Sequence, residues 1–140
     1  MREKKALHFI LTVCSVLAVL FVGMAVLTVI IDPYFHYHKP FSWQKYRLYE
    51  ERYINDGISR NFDYNAVIIG NSLTENFKTS ELDELYSVNS IKMPYSGAGY
   101  KEIWESLDRA FHYNSDIDMV VVALDYDDLS RPKDWIRYQE

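Results

Sequence analysis

The sequence predicts an α/β domain with a parallel sheet behind one N-terminal transmembrane helix, and three patterns carry that prediction. Ala6 to Ile31 is an uninterrupted, mostly apolar stretch. Beyond Asn61, three short apolar runs alternate with two helical patterns. The connections between them are short, as in strand–helix–strand units that build parallel sheets.

From Ala6 to Ile31 the chain has 26 residues without Asp, Glu, Lys or Arg. As a helix this stretch is about 39 Å long, against a hydrocarbon core of roughly 30 Å. A cleaved signal peptide is the alternative, with Gly23 and Ala25 as a weak cleavage site, but its apolar region is only about 7 to 15 residues long. Arg2, Lys4 and Lys5 precede the span, and short basic flanks stay in the cytoplasm. The expected localisation is the cell membrane, single-pass, with the N-terminus cytoplasmic and the C-terminal part extracytoplasmic.

Asp32-Pro33 joins a charge to a residue that cannot continue a helix, so the span is expected to end there. A short aromatic linker follows, Tyr34 to Phe41. His36 and His38 have no third ligand nearby, so a metal pair is a weak reading. Interfacial anchoring by Tyr34, Phe35, Tyr37, Phe41 and Trp43 is the better one, because amphipathic rings favour the headgroup level. The spacing of Trp43, Tyr46, Tyr49 or Glu50, and Tyr53 predicts a helix over Ser42–Asp56, with Ser42 as N-cap, Gly57 just past its end and the aromatic stripe packed on the domain.

Ala66–Gly70 is a continuous apolar run, as expected of a strand buried on both faces. Thr79–Tyr86 reads as a short helix capped by Thr79 or Ser80, with Glu81, Asp83 and Glu84 near its positive end. Val88–Met93 reads as a second strand. Tyr100–Tyr113 reads as an amphipathic helix with Tyr100, Ile103, Trp104, Leu107, Ala110 and Phe111 on its apolar stripe, leaving His112 on the surface. Met119–Leu124 reads as a third buried strand. The organisation is therefore a cytoplasmic tip and transmembrane signal anchor at 1–31, a juxtamembrane linker and amphipathic helix at 32–60, and the α/β portion at 61–140. A three-stranded sheet is small, so the sequence is expected to be the N-terminal part of a longer protein.

Taking Arg2, Lys4, Lys5 and Glu3 from the chain's 15 basic and 20 acidic residues leaves 12 against 19, a balance of −7 beyond Ile31. That charge argues against nucleic acid and against an anionic membrane surface as partners of this part. Cys14, the one cysteine, lies within the span, which excludes an intrachain disulfide and a thiolate metal site beyond it. No cofactor is indicated.

In an open parallel sheet, ligands bind beyond the carboxyl ends of the strands. Three segments fall there and are expected on one rim: Gly70 to Asn76, Pro94 to Gly99, and Asp125 to Asp128. Ser72 directly follows a buried strand, where a hydroxyl can be exposed for attack and backbone N–H groups can face a developing oxyanion. Gly70 would permit a tight turn. The competing reading is that Ser72 or Thr74 merely caps a helix. The segment fits neither a Gly-x-Ser-x-Gly elbow nor a phosphate loop. The second segment could supply a backbone N–H to the same oxyanion, or be an ordinary strand-to-helix turn. The acidic third could bind calcium or magnesium, or simply be solvated.

Val67-Ile68-Ile69-Gly70-Asn71-Ser72-Leu73-Thr74-Glu75-Asn76-Phe77, following a single span and Asp32-Pro33-Tyr34-Phe35, resembles the opening of a membrane-anchored SGNH (GDSL-like) hydrolase. The resemblance implies a three-layer α/β/α sandwich, of which 61–140 would be the N-terminal part. It also implies Ser72 as nucleophile of ester hydrolysis or acyl transfer, and Gly97 or Gly99 as an oxyanion donor. Anchored relatives of this layout act on the cell envelope, including D-alanylation of teichoic acids and O-acetylation of surface glycans, so an envelope glycan or teichoic-acid-like polymer is the implied substrate. The family's third block carries an asparagine where this chain has Asp127, and an ionised Asp127 cannot donate a hydrogen bond. The family's base is a histidine near the C-terminus, and no histidine follows His112. An esterase or acyltransferase therefore stands beside a non-catalytic envelope binding module and an inactive fragment as readings of this chain.

Overall fold

The computed structural model describes residues 2–44 and 47–126, with Ser130, Pro132 and Trp135. The chain divides into two compact units, Met1–Pro33 and Tyr34–Glu140.

The first unit is helix α1, Arg2–Ile31. Within it, Lys4–Ile31 is long and apolar enough to cross a membrane. Its apolar side chains are exposed all round the helix. The two threonine hydroxyls donate within the helix, Thr12 to the His8 carbonyl and Thr28 to the Met24 carbonyl, both at 2.9 Å. Polar groups satisfied this way do not interrupt an apolar surface. The helix closes at Asp32, whose N–H donates to the Thr28 carbonyl (2.9 Å) at φ 36°, ahead of Pro33.

The second unit runs α2 (Glu51–Asn61), β1 (Ala66–Gly70), a 3-10 helix (Ser72–Asn76), α3 (Thr79–Tyr86), β2 (Ser90–Pro94), α4 (Tyr100–Tyr113) and β3 (Met119–Ala123). The three strands form a parallel sheet in the order β2-β1-β3. All five residues of central β1 are buried, which is why its sequence is apolar without alternation. Val67 and Ile69 of β1 and Ile91 and Met93 of β2 share one core cluster with Ile54 and Ile58 of α2 and Ile103 and Ala110 of α4. The opposite face of β2 meets the other helices: Lys92 Nζ donates to the Glu75 and Phe77 carbonyls (2.6 and 2.8 Å), and Ser90 Oγ to the Thr79 carbonyl (3.3 Å). Period-two alternation thus sorts α2 and α4 to one face and the 3-10 helix with α3 to the other.

Several expectations need correction. The helix expected over Ser42–Asp56 is α2, Glu51–Asn61. Glu50 ahead of it is left-handed (φ 47°), which stops the helix from extending back along the aromatic stripe. Gly57 lies inside α2, and glycine is needed there because a Cβ would meet the Tyr34 carbonyl oxygen at 1.9 Å. The stripe does not pack as a unit, since Trp43 and Tyr53 are exposed, while Tyr46 lies outside the described residues. Phe35 is a core residue, set edge-on against Phe62 at 5.0 Å, and so cannot be an interfacial anchor. β2 begins at Ser90, two residues after the expected Val88, because Asn65 and Asn89 bond to each other ahead of both strands. The N-cap of α3 is Lys78 rather than Thr79 or Ser80; its carbonyl accepts from Glu81 N–H (3.2 Å), and its ammonium, which makes no cap bond, donates to the Glu81 carboxylate (2.9 Å). The α4 stripe is narrower than expected. Ile103, Ser106 and Ala110 are buried, whereas Tyr100, Trp104 and Phe111 are exposed. β3 is half-buried and ends at Ala123, since among the described residues it pairs only with β1 and lies at a sheet edge.

Candidate active site

The register pairs Gly70 with Pro94 on one side and with Ala123 on the other, so the three loops beyond the strands start at one level. Side chains and backbone then join them. Asn71 Nδ2 donates to Asp125 Oδ2, tying the first loop to the third. Tyr95 N–H donates to the Gly70 carbonyl (2.9 Å), tying the second to the first.

Asn71 is buried, and its Oδ1 accepts from Leu73 N–H (2.9 Å), capping the 3-10 helix. Asparagine therefore does the capping that sequence reasoning gave to Ser72 or Thr74. Ser72 is the first residue of the 3-10 helix and is exposed, while Thr74 is buried with Oγ1 unpartnered. Gly70 is required by close approach and not by a left-handed turn. A Cβ there would lie 2.4 Å from the Ala123 carbonyl oxygen and 2.5 Å from Thr74 Oγ1. The motif around Ser72 is thus the place where β1, β3 and the 3-10 helix touch without side chains between them.

The second loop is held by helix ends. Ala98 N–H donates to the Tyr95 carbonyl (3.0 Å), closing a turn with Gly97 third at φ 63°, a position that favours glycine. Ser96 N–H donates to Glu51 Oε2 (3.1 Å), and the Arg52 guanidinium donates to the Ser96 carbonyl (3.4 Å) and to Glu102 Oε1 (2.8 Å). The first turn of α2 thus holds one residue of this loop, Ser96, at both its N–H and its carbonyl. Gly99 is the N-cap of α4, and its N–H is directed at Glu102 Oε2 (3.4 Å). Of the two glycines named from sequence, Gly99 is thus engaged by its own helix and Gly97 stands at the apex of the turn.

No protein-family model, curated protein or solved structure matches this chain. The chemistry of the rim therefore rests on its own residues.

Asp127 lies outside the described residues. Asp125, the first of the acidic cluster, serves as acceptor for Asn71. Among the described residues no group of three His, Cys, Asp or Glu could hold a metal ion. His36 Nε2 donates to the Tyr53 carbonyl (2.8 Å) and His38 Nδ1 to the Lys39 carbonyl (2.7 Å), so each ring is occupied by backbone. His112 is exposed in the last turn of α4, whose first turn adjoins the rim. Just beyond it, Asn114 bonds the Tyr64 carbonyl (2.7 Å) ahead of β1, so His112 belongs to the opposite edge of the sheet.

Sequence reasoning missed Glu75 and Glu51. In a 3-10 helix residues three apart eclipse, so Ser72 and Glu75 share a face. Partial burial, then a hydrogen bond with Glu51 and its charge, pushes the Glu75 carboxyl up from its ordinary range against a smaller pull from Lys92. A Ser-x-x-Glu spacing signals such a pair only once the turn is known to be 3-10 rather than extended. A groove of about 430 Å³ adjoins this side, lined by Glu75, Asn76, Phe77, Lys78, Lys92 and Leu48 among others, and Ser72 is not part of its wall.

A carboxyl whose folded pKa is raised contributes stability below its unfolded pKa and loses it as pH rises through the folded value. Glu75→Gln should therefore match the native chain in urea midpoint near pH 4 and exceed it at pH 7, by about 0.3 kcal/mol for so exposed a group. An equal difference at both pH values would show that Glu51 and Glu75 do not interact.

Proposed function

We propose that this protein is a membrane-anchored, extracytoplasmic member of the SGNH-like hydrolase type, with Ser72 as nucleophile toward an ester of a cell-envelope polymer. The observation that carries the reading is the placement of Ser72. It is exposed, it opens a 3-10 helix directly beyond the central strand, and it is backed by a buried asparagine that caps that helix. Helix α1 would be the anchor, and Arg2, Lys4 and Lys5 would keep its start in the cytoplasm.

In the proposed chemistry Ser72 Oγ bonds the ester carbonyl carbon, and its proton passes to a base. The oxyanion would be received by the Ser72 N–H with Gly97 or Gly99. The leaving alkoxide departs with a proton, and water or an acceptor hydroxyl then releases the acyl group. A non-catalytic envelope binding module of the same fold is the second reading. It is favoured by His112, which lies toward the opposite edge of the sheet, and by His36 and His38, whose rings bond backbone carbonyls.

Fluorophosphonate labelling of the full chain in membranes separates the two. Labelling is expected for the native chain and lost in Ser72→Ala, whose stability should stay within about 0.5 kcal/mol because the side chain is exposed. A folded native chain that takes no label would leave the binding module as the function.

A further inference from the structure

Beyond Ile31 the chain is acidic overall, yet one stretch departs from that balance. Pro33–Tyr49 contains no Asp or Glu, holds Lys39, Lys45 and Arg47, and carries the aromatic residues Tyr34, Phe35, Tyr37, Phe41, Trp43, Tyr46 and Tyr49. The structure divides these rings. Phe35 is buried, and Tyr34 lies among the rings of Tyr49, Tyr53 and His36. Tyr37, Phe41 and Trp43 remain exposed at 62%, 45% and 63%. Phe41 and Trp43 stack on each other at 5.8 Å and 17°, and His38 lies 4.5 Å from Phe41. Phe41 and Trp43, stacked and exposed together, form a continuous apolar surface rather than scattered apolar residues.

We propose that Tyr37, Phe41 and Trp43 dock the second unit onto a lipid headgroup surface that contains anionic lipid. The inference rests on the reading of α1 as a bilayer span. Trp43 follows Ile31 by 12 residues, so even a fully extended chain confines it to within about 43 Å of the membrane exit. Tryptophan and tyrosine favour the interface, where the ring body leaves water and the polar edge stays hydrated. Lys39 is paired with Asp63 at 2.5 Å, so among the described residues of this stretch Arg47 supplies the basic charge that complements anionic headgroups, although the second unit as a whole is repelled by them. Local complementarity wins at this patch because charges beyond about 10 Å are screened at physiological salt.

The test uses the full chain reconstituted in phosphatidylcholine vesicles, with and without phosphatidylglycerol, containing lipids brominated near the top of the acyl chain. Part of the native tryptophan emission should be quenched, the ring lying about 5–10 Å into the headgroup and upper acyl region. That quenchable part should vanish in Trp43→Phe and persist in Trp104→Phe, since Trp104 is exposed on α4. Phosphatidylglycerol should increase the quenching, and Arg47→Glu should remove the increase. Quenching that is absent, or unchanged in Trp43→Phe, overturns the docking surface while flotation with the vesicles still upholds the span. A chain that does not float with vesicles overturns the span and the docking together. Trp43 emission that is shielded but not quenched would assign the patch to protein contact instead.

Discussion

Gly57→Ala is expected to destabilise the second unit by about 2 kcal/mol, although helix propensity alone predicts a gain of about 1 kcal/mol from replacing a glycine inside a helix. The sign reverses because of what lies beside α2. The new methyl would lie 1.9 Å from the Tyr34 carbonyl oxygen and 2.8 Å from the Phe35 carbonyl group. These are backbone atoms and cannot rotate away. The segment is further fixed by Asn61 Nδ2, which donates to the Phe35 carbonyl at 2.7 Å, and by the edge-on Phe35–Phe62 contact. Relief requires lifting Phe35 from the core, and overpacking of this kind costs about 1–3 kcal/mol. Urea unfolding of the full chain in detergent, followed by near-ultraviolet dichroism, reads the effect. A gain in stability would mean that the 34–35 segment is not seated on α2.

Asn71→Ala is expected to cost about 2–3 kcal/mol and to reduce Ser72 labelling as well. The side chain makes two bonds from a buried position, accepting from Leu73 N–H and donating to the Asp125 carboxylate. A hydrogen bond to a charged group contributes about 1.5–3 kcal/mol, and removing one partner leaves the other desolvated. Without it the 3-10 helix loses its cap, and the loops after β1 and β3 lose their connection. A double-mutant cycle with Asp125→Ala should show strong non-additivity. Additive losses would mean that the two loops are stable separately, and that the rim is not organised through Asn71.

Local patterns in this chain were legible wherever a residue's environment is set by its neighbours in sequence. Ala66–Gly70, Thr79–Tyr86 and Tyr100–Tyr113 have the bounds their periodicity and flanking turn residues predict. The aromatic run before α2 was misread because an amphipathic spacing does not reveal a left-handed residue such as Glu50. Gly57 was misread as a terminator for a related reason. Glycine serves equally where a helix ends and where another backbone passes close, and only the position of Tyr34 distinguishes the two. At the rim, Gly70-Asn71-Ser72 does follow the central strand as its sequence suggests, but the contacts within it were not in the sequence. Whether serine or asparagine caps depends on which side chain folds back on Leu73 N–H. Glu51 and Glu75 come from segments 24 residues apart in sequence, and their proximity is a property of how α2 and the 3-10 helix meet the same strand ends.

The sequence by itself determined a helix apolar enough to cross a membrane, the composition of an α/β unit and the serine beyond its central strand, because hydropathy and periodicity are local sums over neighbouring residues. Tertiary structure alone decided that Phe35 is core, that β3 is an edge, that Gly57 and Gly70 are contact points, and that Asn71, Asp125, Glu51 and Arg52 hold the rim. Each of those outcomes depends on groups distant in sequence competing for the same few ångströms, and no local pattern records which of them occupies the space.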